Sequence, residues 1–361
     1  MKILVLTNSD EGLYRFRKEL LEELLKNNEV FACCLKGIYV DKLVELGCKY
    51  ISINFVARST NPLKDLSLLK KYISIIKETQ PDIVLTYNIK SNIYGGLACS
   101  FTKTKYISTI AGLGSGIENG GLVSKIILVL YKLGLKKCSH VFFQNEVNKK
   151  FMLDHKVVKK EQCVLVNGSG VNLKQYELLS YPRSKNIEFA YIGRIMYQKG
   201  IELYLNAAKE IKKKYPNTIF NVCGVYEDNY KEMIEQYQKE NIVVYHGNIV
   251  DMVNQIYKKI ECTIHPSFYA EGLSNVLLET AASGRAIITT DKNGCKETVD
   301  DNITGYIVKQ NDLNDLIKKI EKFIKMPKQE RKEMGINGRK KIENSFSRDK
   351  VIQTYIKYIY E

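Results

Sequence analysis

Residues 265–279 read His-Pro-Ser-Phe-Tyr-Ala-Glu-Gly-Leu-Ser-Asn-Val-Leu-Leu-Glu, and this stretch carries the strongest signal in the chain. The apolar residues before it predict a strand that ends at His265 and passes through a Pro-Ser turn into a glycine loop. A helix is predicted to follow, with Ser274 at its N-cap and Gly284 at its end. Such a turn directs unpaired backbone N–H groups and the positive helix end toward an anion. The segment therefore predicts an anion-binding turn.

Two carboxylates flank this predicted anion site. Glu271 lies in the loop before the helix, and Glu279 lies inside the helix. Glu271 can accept hydrogen bonds from sugar hydroxyls and Glu279 from ribose hydroxyls, which suits a phosphorylated, polyhydroxylated ligand. An exposed glutamate on a helix is commonplace, and for either residue alone that interpretation is the more frequent one. The whole segment, rather than either glutamate, favours a ligand.

The segment resembles the Glu-x7-Glu signature of the retaining family 4 glycosyltransferases, which have the GT-B fold. A second block resembles the family's strand with its Gly-Arg and Lys-Gly pairs, and it reads Tyr191-Ile-Gly-Arg-Ile-Met-Tyr-Gln-Lys-Gly200. Four shorter segments downstream are similar to the same family, namely Thr280–Gly284, Ala286–Asp291, Gly294–Glu297 and Asn302–Gly305. With two blocks in the right order, the chain is identified as a member of that family.

The resemblance assigns roles to individual residues. It implies that Arg194 and Lys199 grip the donor diphosphate and that Glu271 orients the donor sugar, so these three are the candidate catalytic residues. The nucleotide-sugar donor is expected to contact seven further positions, namely Gly12, Ile249, Gly272, Leu273, Ser274, Asn275 and Glu279.

The candidate acceptor site lies in the N-terminal half. Residues 8–17 are predicted to form the first strand-to-helix turn, where Arg15 and Arg17 could bind acceptor phosphate. Lys90 lies in the Asn88–Asn92 segment that ends another predicted strand. One of the two arginines could instead be an ordinary solvated charge.

Transfer from a nucleotide sugar builds negative charge on the departing diphosphate, which a divalent metal or protein cations can stabilise. No Asp-x-Asp follows an apolar strand, and the four histidines show no ligand spacing. Stabilisation by Arg194, Lys199 and the helix N-terminus is therefore expected, without a metal or any other cofactor. The resemblance implies retention by front-face substitution, with the donor phosphate helping to take the acceptor proton.

The rest of the chain alternates strands and helices, which indicates parallel sheets with helices on both faces. The expected fold class is α/β of the GT-B type: two doubly wound, Rossmann-like domains facing across a cleft. Residues 1–180, with 346–361, are the predicted acceptor-binding domain, and 187–345 are the predicted donor-binding domain. The polar segment Ser180–Asn186 is the predicted linker. The apolar spacing of Val351–Tyr360 predicts a final helix that crosses back to the N-terminal domain.

The composition is that of a globular protein, with 361 residues, 45% of them hydrophobic and 26% charged. Nine scattered cysteines without a Cys-x-x-Cys motif argue against disulfides and zinc. The sequence shows neither a signal-peptide layout nor an apolar run long enough to span a bilayer, so a cytoplasmic protein is expected.

The net charge of +15 is concentrated between Lys49 and Lys150, where fifteen Lys/Arg stand against five Asp/Glu. Such a surface could serve nucleic acid, an anionic membrane or a phosphorylated substrate, or it could simply be solvated. No RNA-binding signature with interleaved aromatic residues appears, so no nucleic-acid partner is expected.

The N-terminal segments, including the turn Arg58–Pro62, resemble a subgroup that extends undecaprenyl-diphosphate-linked sugars in capsule, O-antigen or N-glycan assembly. This resemblance implies a lipid-diphosphate-linked saccharide as acceptor and a peripheral position at the inner face of the cell membrane. The predicted helix Leu122–Leu135 could lie on an anionic membrane. The predicted apolar face is flanked by Lys125, Lys132, Lys136 and Lys137, and it consists of Ile126, Ile127, Val129, Leu130 and Leu133. A helix packed in the core, with its lysines outward, is the alternative.

Three other functions compete with transfer to a lipid-linked acceptor. They are transfer to a soluble acceptor, nucleotide-sugar epimerisation, and non-catalytic binding of a membrane or nucleic acid. Epimerases lack the pairing of Glu271 with Glu279, and a pure binder has no need of a carboxylate beside a diphosphate site. The expected donor is a hexose or N-acetylhexosamine on UDP, the nucleotide being inferred from family habit.

Overall fold

The computed structural model describes three stretches of the chain, residues 1–55, 62–269 and 271–361. These residues form two compact units. The first unit is Met1–Ser169 together with Arg348–Glu361, and the second is Gly170–Ser347. The chain therefore leaves the first unit at Ser169, ahead of the predicted linker.

The described residues contain thirteen strands. They are β1 Lys2–Leu6, β2 Glu29–Cys34, β3 Lys49–Ser52, β4 Ile83–Tyr87, β5 Lys105–Ile110, β6 His140–Phe143, β7 Cys163–Leu165, β8 Ile187–Ile192, β9 Thr218–Cys223, β10 Val244–Tyr245, β11 Cys262–His265, β12 Ala286–Thr290 and β13 Gly305–Val308.

Thirteen α-helices alternate with these strands in the described residues. They are α1 Asp10–Leu25, α2 Val40–Glu45, α3 Pro62–Thr79, α4 Gly96–Thr102, α5 Ser115–Glu118, α6 Gly121–Leu135, α7 Glu146–Asp154, α8 Ile201–Lys214, α9 Lys231–Lys239, α10 Asn275–Ala282, α11 Leu313–Lys325, α12 Lys328–Ser345 and α13 Arg348–Tyr360. Shorter π and 3₁₀ turns lie at Ser91–Gly95, Lys160–Gln162, Tyr197–Lys199, Val253–Tyr257 and Lys296–Thr298.

Each unit contains one fully parallel sheet. The strand order is β3-β2-β1-β4-β5-β6-β7 in the first unit and β10-β9-β8-β11-β12-β13 in the second. Every residue of β4, β11 and β12 is buried, as parallel strands covered by helices on both faces require. Apolar side chains fill both faces of each sheet. The predicted pair of doubly wound domains is confirmed.

The strand order reverses between β1 and β4 in the first sheet and between β8 and β11 in the second. Ligands of open parallel sheets bind outside the carboxyl ends of the strands at such a reversal, because the connections there leave in opposite directions and open a crevice. In the second sheet, the register pairs Cys262 of β11 with Phe189 of β8. The two sequence blocks that resemble the family follow these two strands.

Helix α1 begins earlier than predicted, so most of the expected turn at residues 8–17 is helix. Ser9 caps α1, because its hydroxyl accepts a hydrogen bond from the N–H of Gly12 at 2.9 Å. Asp10 and Glu11 lie in the first turn, where their negative charge suits the helix dipole. A glycine three residues after a good capping residue does not prevent helix formation.

The final helix, α13, belongs to the first unit, as predicted. Val351, Tyr355 and Ile359 are buried in the cluster that α1 also enters. The Tyr355 hydroxyl lies 2.8 Å from the Thr109 hydroxyl of β5. The apolar spacing read from the sequence is therefore the face that this helix buries.

The predicted linker Ser180–Asn186 does not connect the two units. It belongs to the second unit, where the Tyr181 hydroxyl donates to Glu261 at 2.7 Å and Arg285 donates to the carbonyl of Ser180 at 2.8 Å. Arg285 is fully buried, so these bonds hold the segment against the unit. A polar sequence containing proline looked like a linker, although tertiary contacts fix it.

Candidate functional site

The three candidate catalytic residues lie at the strand-order reversal of the second sheet. Arg194 follows β8, Lys199 ends the 3₁₀ turn Tyr197–Lys199, and Glu271 lies in the loop between β11 and α10. The N–H of Phe268 donates to the carbonyl of Gln198 at 2.9 Å and so ties this loop to the turn. Strand pairing thus brings together residues that are far apart in the sequence.

Lys199 and Glu271 form a direct ion pair, in which each side chain keeps only 12% of its exposure. Behind them, His265 is almost fully buried, and its Nε2 lies 3.7 Å from Glu271 Oε1 and 3.5 Å from Ser274 Oγ. Its Nδ1 has no hydrogen-bond partner among the described residues. The pair is therefore held at a site that is largely shielded from water.

The protonation state of this site follows from its partners. Burial raises the pKa of the Glu271 carboxyl, but the Lys199 ammonium and His265 outweigh burial and hold that pKa well below its usual value. Burial lowers the pKa of His265, and the positive charge of Lys199 lowers it further. Glu271 is consequently an anion that can accept hydrogen bonds, and His265 is a neutral imidazole at neutral pH.

Arg194 forms an ion pair with a different carboxylate from the one that Lys199 contacts. It pairs with Glu227 in the loop after β9, and its Cζ lies 5.1 Å from the centroid of the Tyr269 ring. The Nζ of Lys199 lies 5.3 Å from the same centroid. One tyrosine ring therefore contacts both cations assigned to the diphosphate.

Two glycines allow the close approaches that build this site. Gly200 has φ +76, and a Cβ there would lie 2.2 Å from the carbonyl oxygen of Pro266. Gly294 has φ +89, and a Cβ there would lie 2.9 Å from the carbonyl oxygen of Glu271. Only glycine accepts this conformation and this spacing without strain.

Helix α10 begins at Asn275, with Ser274 in the N-cap position as predicted. The Ser274 hydroxyl makes no capping hydrogen bond, because it turns toward His265 instead. The helix ends in a Schellman motif: the N–H of Gly284 donates to Ala281 and that of Arg285 to Thr280. Gly284, with φ +72, is therefore the predicted helix stop.

Six of the remaining donor candidates lie in the second unit, and one, Gly12, lies in the first. Gly272, Leu273, Ser274 and Asn275 surround the start of α10, and Glu279 lies on it beside the hydroxyl of Tyr257, at 3.5 Å. Ile249, in the loop after β10, is buried in the same apolar cluster as Leu273. Gly12 lies in the first unit, where its N–H bonds to the Ser9 cap.

The structure does not bring the acceptor candidates together. Arg15 is exposed and pairs with Glu11 at 3.0 Å, whereas Arg17 is buried with its Cζ 5.1 Å from the Tyr87 ring and 5.5 Å from the Tyr355 ring. Residues two apart on a helix point in different directions, so both arginines cannot face one phosphate.

Lys90 pairs with Asp65 at 2.6 Å, where both side chains are largely buried. The Tyr94 hydroxyl donates to the same carboxylate at 2.9 Å. Lys90 is thus part of a small network that joins α3 to the end of β4. Residues 58–61 of the predicted turn Arg58–Pro62 lie outside the described residues.

Helix α6 is amphipathic, but its exposed apolar stripe differs from the predicted one. Ile126, Val129 and Leu133 are exposed by 51%, 58% and 50%, as expected, whereas Ile127 and Leu130 pack against the core. The stripe also includes Leu122 and Val123, and the four flanking lysines are exposed. The predicted face included Ile127 and Leu130, which point inward, because the sequence of α6 is apolar over a wider arc than the stripe that the helix exposes.

Sequence reasoning gave no role to His265, Tyr269, Glu227 or Asp65, which all contact candidate residues. The position of His265 at a strand end, next to the donor loop, was the available signal. Among the residues that the structure describes, no group of His, Cys, Asp and Glu is arranged to hold a metal ion. The helices in those same residues include none with the length and apolarity to cross a bilayer.

Comparison with protein families gives two matches. Residues 180–341 match the model described as glycosyl transferases group 1, and residues 2–145 match the model described as glycosyl transferase 4-like. Together the two models cover most of the chain.

Two curated proteins are similar over most of their length. The N,N'-diacetylbacillosaminyl-diphospho-undecaprenol alpha-1,3-N-acetylgalactosaminyltransferase of Campylobacter jejuni is 28% identical, over 89% of this chain and 88% of its own. The capsular polysaccharide biosynthesis glycosyltransferase CapM of Staphylococcus aureus is 26% identical, over 78% of this chain and 77% of its own.

Two solved structures share the fold. A glycosyltransferase from Rickettsia africae superposes with a TM-score of 0.81 at 21% identity, covering 99% of this chain and 97% of its own. Anabaena HepE, crystallised with UDP and glucose, superposes with a TM-score of 0.82 at 15% identity, covering 100% of this chain and 99% of its own. At these identities the likeness concerns the fold alone.

Proposed function

Since this chain belongs to the GT-B glycosyltransferases, we propose that it moves a hexose or N-acetylhexosamine from a UDP-sugar to a polyprenyl-diphosphate-linked saccharide. The observation that carries the proposal is the meeting of Arg194, Lys199 and Glu271 at the strand-order reversal of the second sheet. There, two cations stand beside an ionised carboxylate and a helix start. This set suits a diphosphate joined to a sugar.

The chemistry needs stabilisation of the leaving diphosphate. Arg194 and Lys199 bind its charge, and the first backbone N–H groups of α10 contribute the positive helix end. Because the interaction grows as the anomeric C–O bond breaks, it lowers the barrier rather than merely binding the donor. Protein cations in this position also support metal-independent transfer.

Glu271 orients the donor sugar. Its depressed pKa keeps it ionised, so it accepts hydrogen bonds from sugar hydroxyls and holds the anomeric carbon toward the acceptor. The acceptor attacks on the face from which the diphosphate departs, and a donor phosphate oxygen takes the acceptor proton. This order of events accounts for retention of configuration. Glu279 binds the ribose.

The lipid-diphosphate acceptor is supported by the Campylobacter relative, whose name specifies a sugar linked to undecaprenol through a diphosphate. That similarity extends over most of both chains. The first unit holds three separate candidates for a cation that binds an acceptor phosphate, Arg15, Arg17 and Lys90, which do not converge on one phosphate. Arg17 is the strongest of them, because Arg15 pairs with Glu11 and Lys90 with Asp65, whereas within the described residues Arg17 makes no such ion pair and lies against the rings of Tyr87 and Tyr355.

An acceptor anchored by a polyprenyl chain requires the enzyme to work at the inner face of the cell membrane. The exposed stripe of α6 supplies the apolar contact, and Lys125, Lys132, Lys136 and Lys137 supply attraction to anionic lipid. Helix α4, which packs against α6, carries a further exposed apolar side chain, Phe101.

The test of transfer uses a panel of UDP-sugars with two acceptors, a polyprenyl-diphosphate-linked saccharide and the matching free saccharide. We expect efficient transfer to the lipid-linked acceptor only, an unchanged anomeric configuration by NMR, and full activity in excess EDTA. Equal use of the free saccharide would favour a soluble acceptor. Loss of activity in EDTA, restored by Mg²⁺ or Mn²⁺, would contradict metal independence.

The membrane contact is tested by sedimentation with anionic vesicles. We expect binding at low salt and release at high salt, because salt screens the lysine charges. Glutamine at the four α6 lysines should weaken binding while donor hydrolysis stays unchanged. The matched control carries glutamine at four exposed lysines of the second unit, namely Lys318, Lys325, Lys332 and Lys340. Equal loss in both variants would show a general charge effect instead of a surface on α6.

A further inference from the structure

Tyr269 has no role in the proposed reaction, although it lies at the centre of the donor site. The residue follows β11 in the loop that leads to Glu271, and its side chain is partly buried. Arg194 Cζ and Lys199 Nζ lie 5.1 Å and 5.3 Å from its ring centroid. Both distances are within the range of a favourable cation–π interaction.

The backbone that carries the Tyr269 ring is held by hydrogen bonds. The N–H of Tyr269 donates to the Ser267 hydroxyl at 3.2 Å, and the Ser267 carbonyl accepts from Thr290 at the end of β12. The adjacent residue, Phe268, bonds through its N–H to the turn that carries Lys199. These bonds tie the backbone of Tyr269 to the sheet and to the turn that carries Lys199, so the residue starts from a defined position beside both cations.

Arg194 and Lys199 carry like charges and need a partner that holds them in place when the diphosphate binds. In the free enzyme, Glu227 and Glu271 compensate their charges. In the proposed reaction Glu271 accepts hydrogen bonds from sugar hydroxyls, so it pairs less with Lys199. A carboxylate that stays paired with either cation also competes with the donor diphosphate for that cation. An aromatic ring has no net charge, but its quadrupole makes the ring face negative and attracts cations. It can therefore hold both cations without competing with the diphosphate as strongly as a carboxylate does.

We infer that Tyr269 is a positioning residue, whose ring holds Arg194 and Lys199 side by side for the donor diphosphate. The inference rests on the proposed function.

The test compares Tyr269→Leu, Tyr269→Phe and a control, Phe268→Leu. Phe268 packs its ring edgewise on Tyr197, with centroids 5.2 Å apart, so its loss removes a neighbouring aromatic of the same loop. UDP affinity is measured by isothermal titration calorimetry, together with kcat and KM for the UDP-sugar. We expect Tyr269→Leu to weaken UDP binding and lower kcat, with kcat/KM falling about tenfold or more. Tyr269→Phe and Phe268→Leu should stay within about threefold of the wild type.

A double-mutant cycle separates positioning from general loop packing. In an Arg194→Ala background, Tyr269→Leu should cost clearly less in UDP affinity than it does alone, because one of its two cations is gone. Tyr269→Gln replaces Tyr269→Leu if the latter does not fold. Equal costs in both backgrounds, or a Tyr269→Phe variant as impaired as Tyr269→Leu, would overturn the inference. A wild-type enzyme that fails to bind UDP would instead contradict the proposed function.

Discussion

Replacement of Lys199 by methionine removes one partner of a largely shielded ion pair. The Glu271 carboxylate would remain in a site where its side chain is 12% exposed. Loss of one member of a buried pair typically costs 3–5 kcal/mol, and the residual exposure argues for the lower end, about 3 kcal/mol. For a unit of this size that corresponds to a fall in Tm of roughly 6–12 °C.

The pH dependence of this loss has a definite sign. In the wild type, the depressed pKa of Glu271 contributes stability that is present above the carboxyl's ordinary pKa and is lost as pH falls through the folded value. Without Lys199, burial raises the same pKa, and the deficit is then largest at neutral pH. Acidification protonates the isolated carboxyl, so the Tm difference between Lys199→Met and the wild type should shrink from pH 7 toward pH 4.

Two separate measurements are made on each variant, the Tm of thermal unfolding and the rate of UDP-sugar turnover. The double variant Lys199→Met/Glu271→Gln removes both charges and should regain most of the lost Tm, yet it should stay inactive, because transition-state stabilisation is gone. The control Lys214→Met breaks the exposed pair with Glu321, 2.8 Å apart, and should leave Tm nearly unchanged. If Lys199→Met unfolded within about 1 °C of the wild type, or if the double variant were no more stable than the single one, the reasoning would be refuted.

Three further results are expected. Glu279→Ala should weaken UDP affinity about tenfold with little change in kcat; an unchanged affinity in calorimetry would remove the residue from the ribose site. Gly294→Ala should lower Tm and raise the donor KM, because its Cβ would lie 2.9 Å from the Glu271 carbonyl oxygen. The control is Gly247→Ala, since Gly247 also has a positive φ, +68, but no atom lies close to its Cβ position. Equal effects of the two substitutions would count against the clash. Burial lowers the pKa of His265, so the unfolded chain binds more protons and stability falls as pH drops below about 6.5. His265→Gln should therefore flatten the decline in Tm between pH 6.5 and 5, and an unaltered slope would contradict the neutral imidazole.

Much of the architecture could be predicted from local sequence. Apolar runs ended by turn residues predict three strands at the bounds that the structure shows, Ile83–Tyr87, Ala286–Thr290 and Gly305–Val308. Helix boundaries were less accurate. The apolar pattern predicts a helix that starts near Tyr14, with Gly12 in the preceding turn, whereas α1 begins at Asp10 after the Ser9 cap.

The sequence by itself determined that the chain alternates strands and helices in two sets, and that a carboxylate follows a strand beside a helix start. Only the tertiary structure decided which strands are neighbours. It placed β8 beside β11, and so joined Lys199 to Glu271 and both cations to Tyr269. It also turned Arg17 inward and Arg15 outward. The physical reason is that periodicity reports which face of an element is apolar, whereas strand order and side-chain partners depend on packing between elements that are distant in the chain.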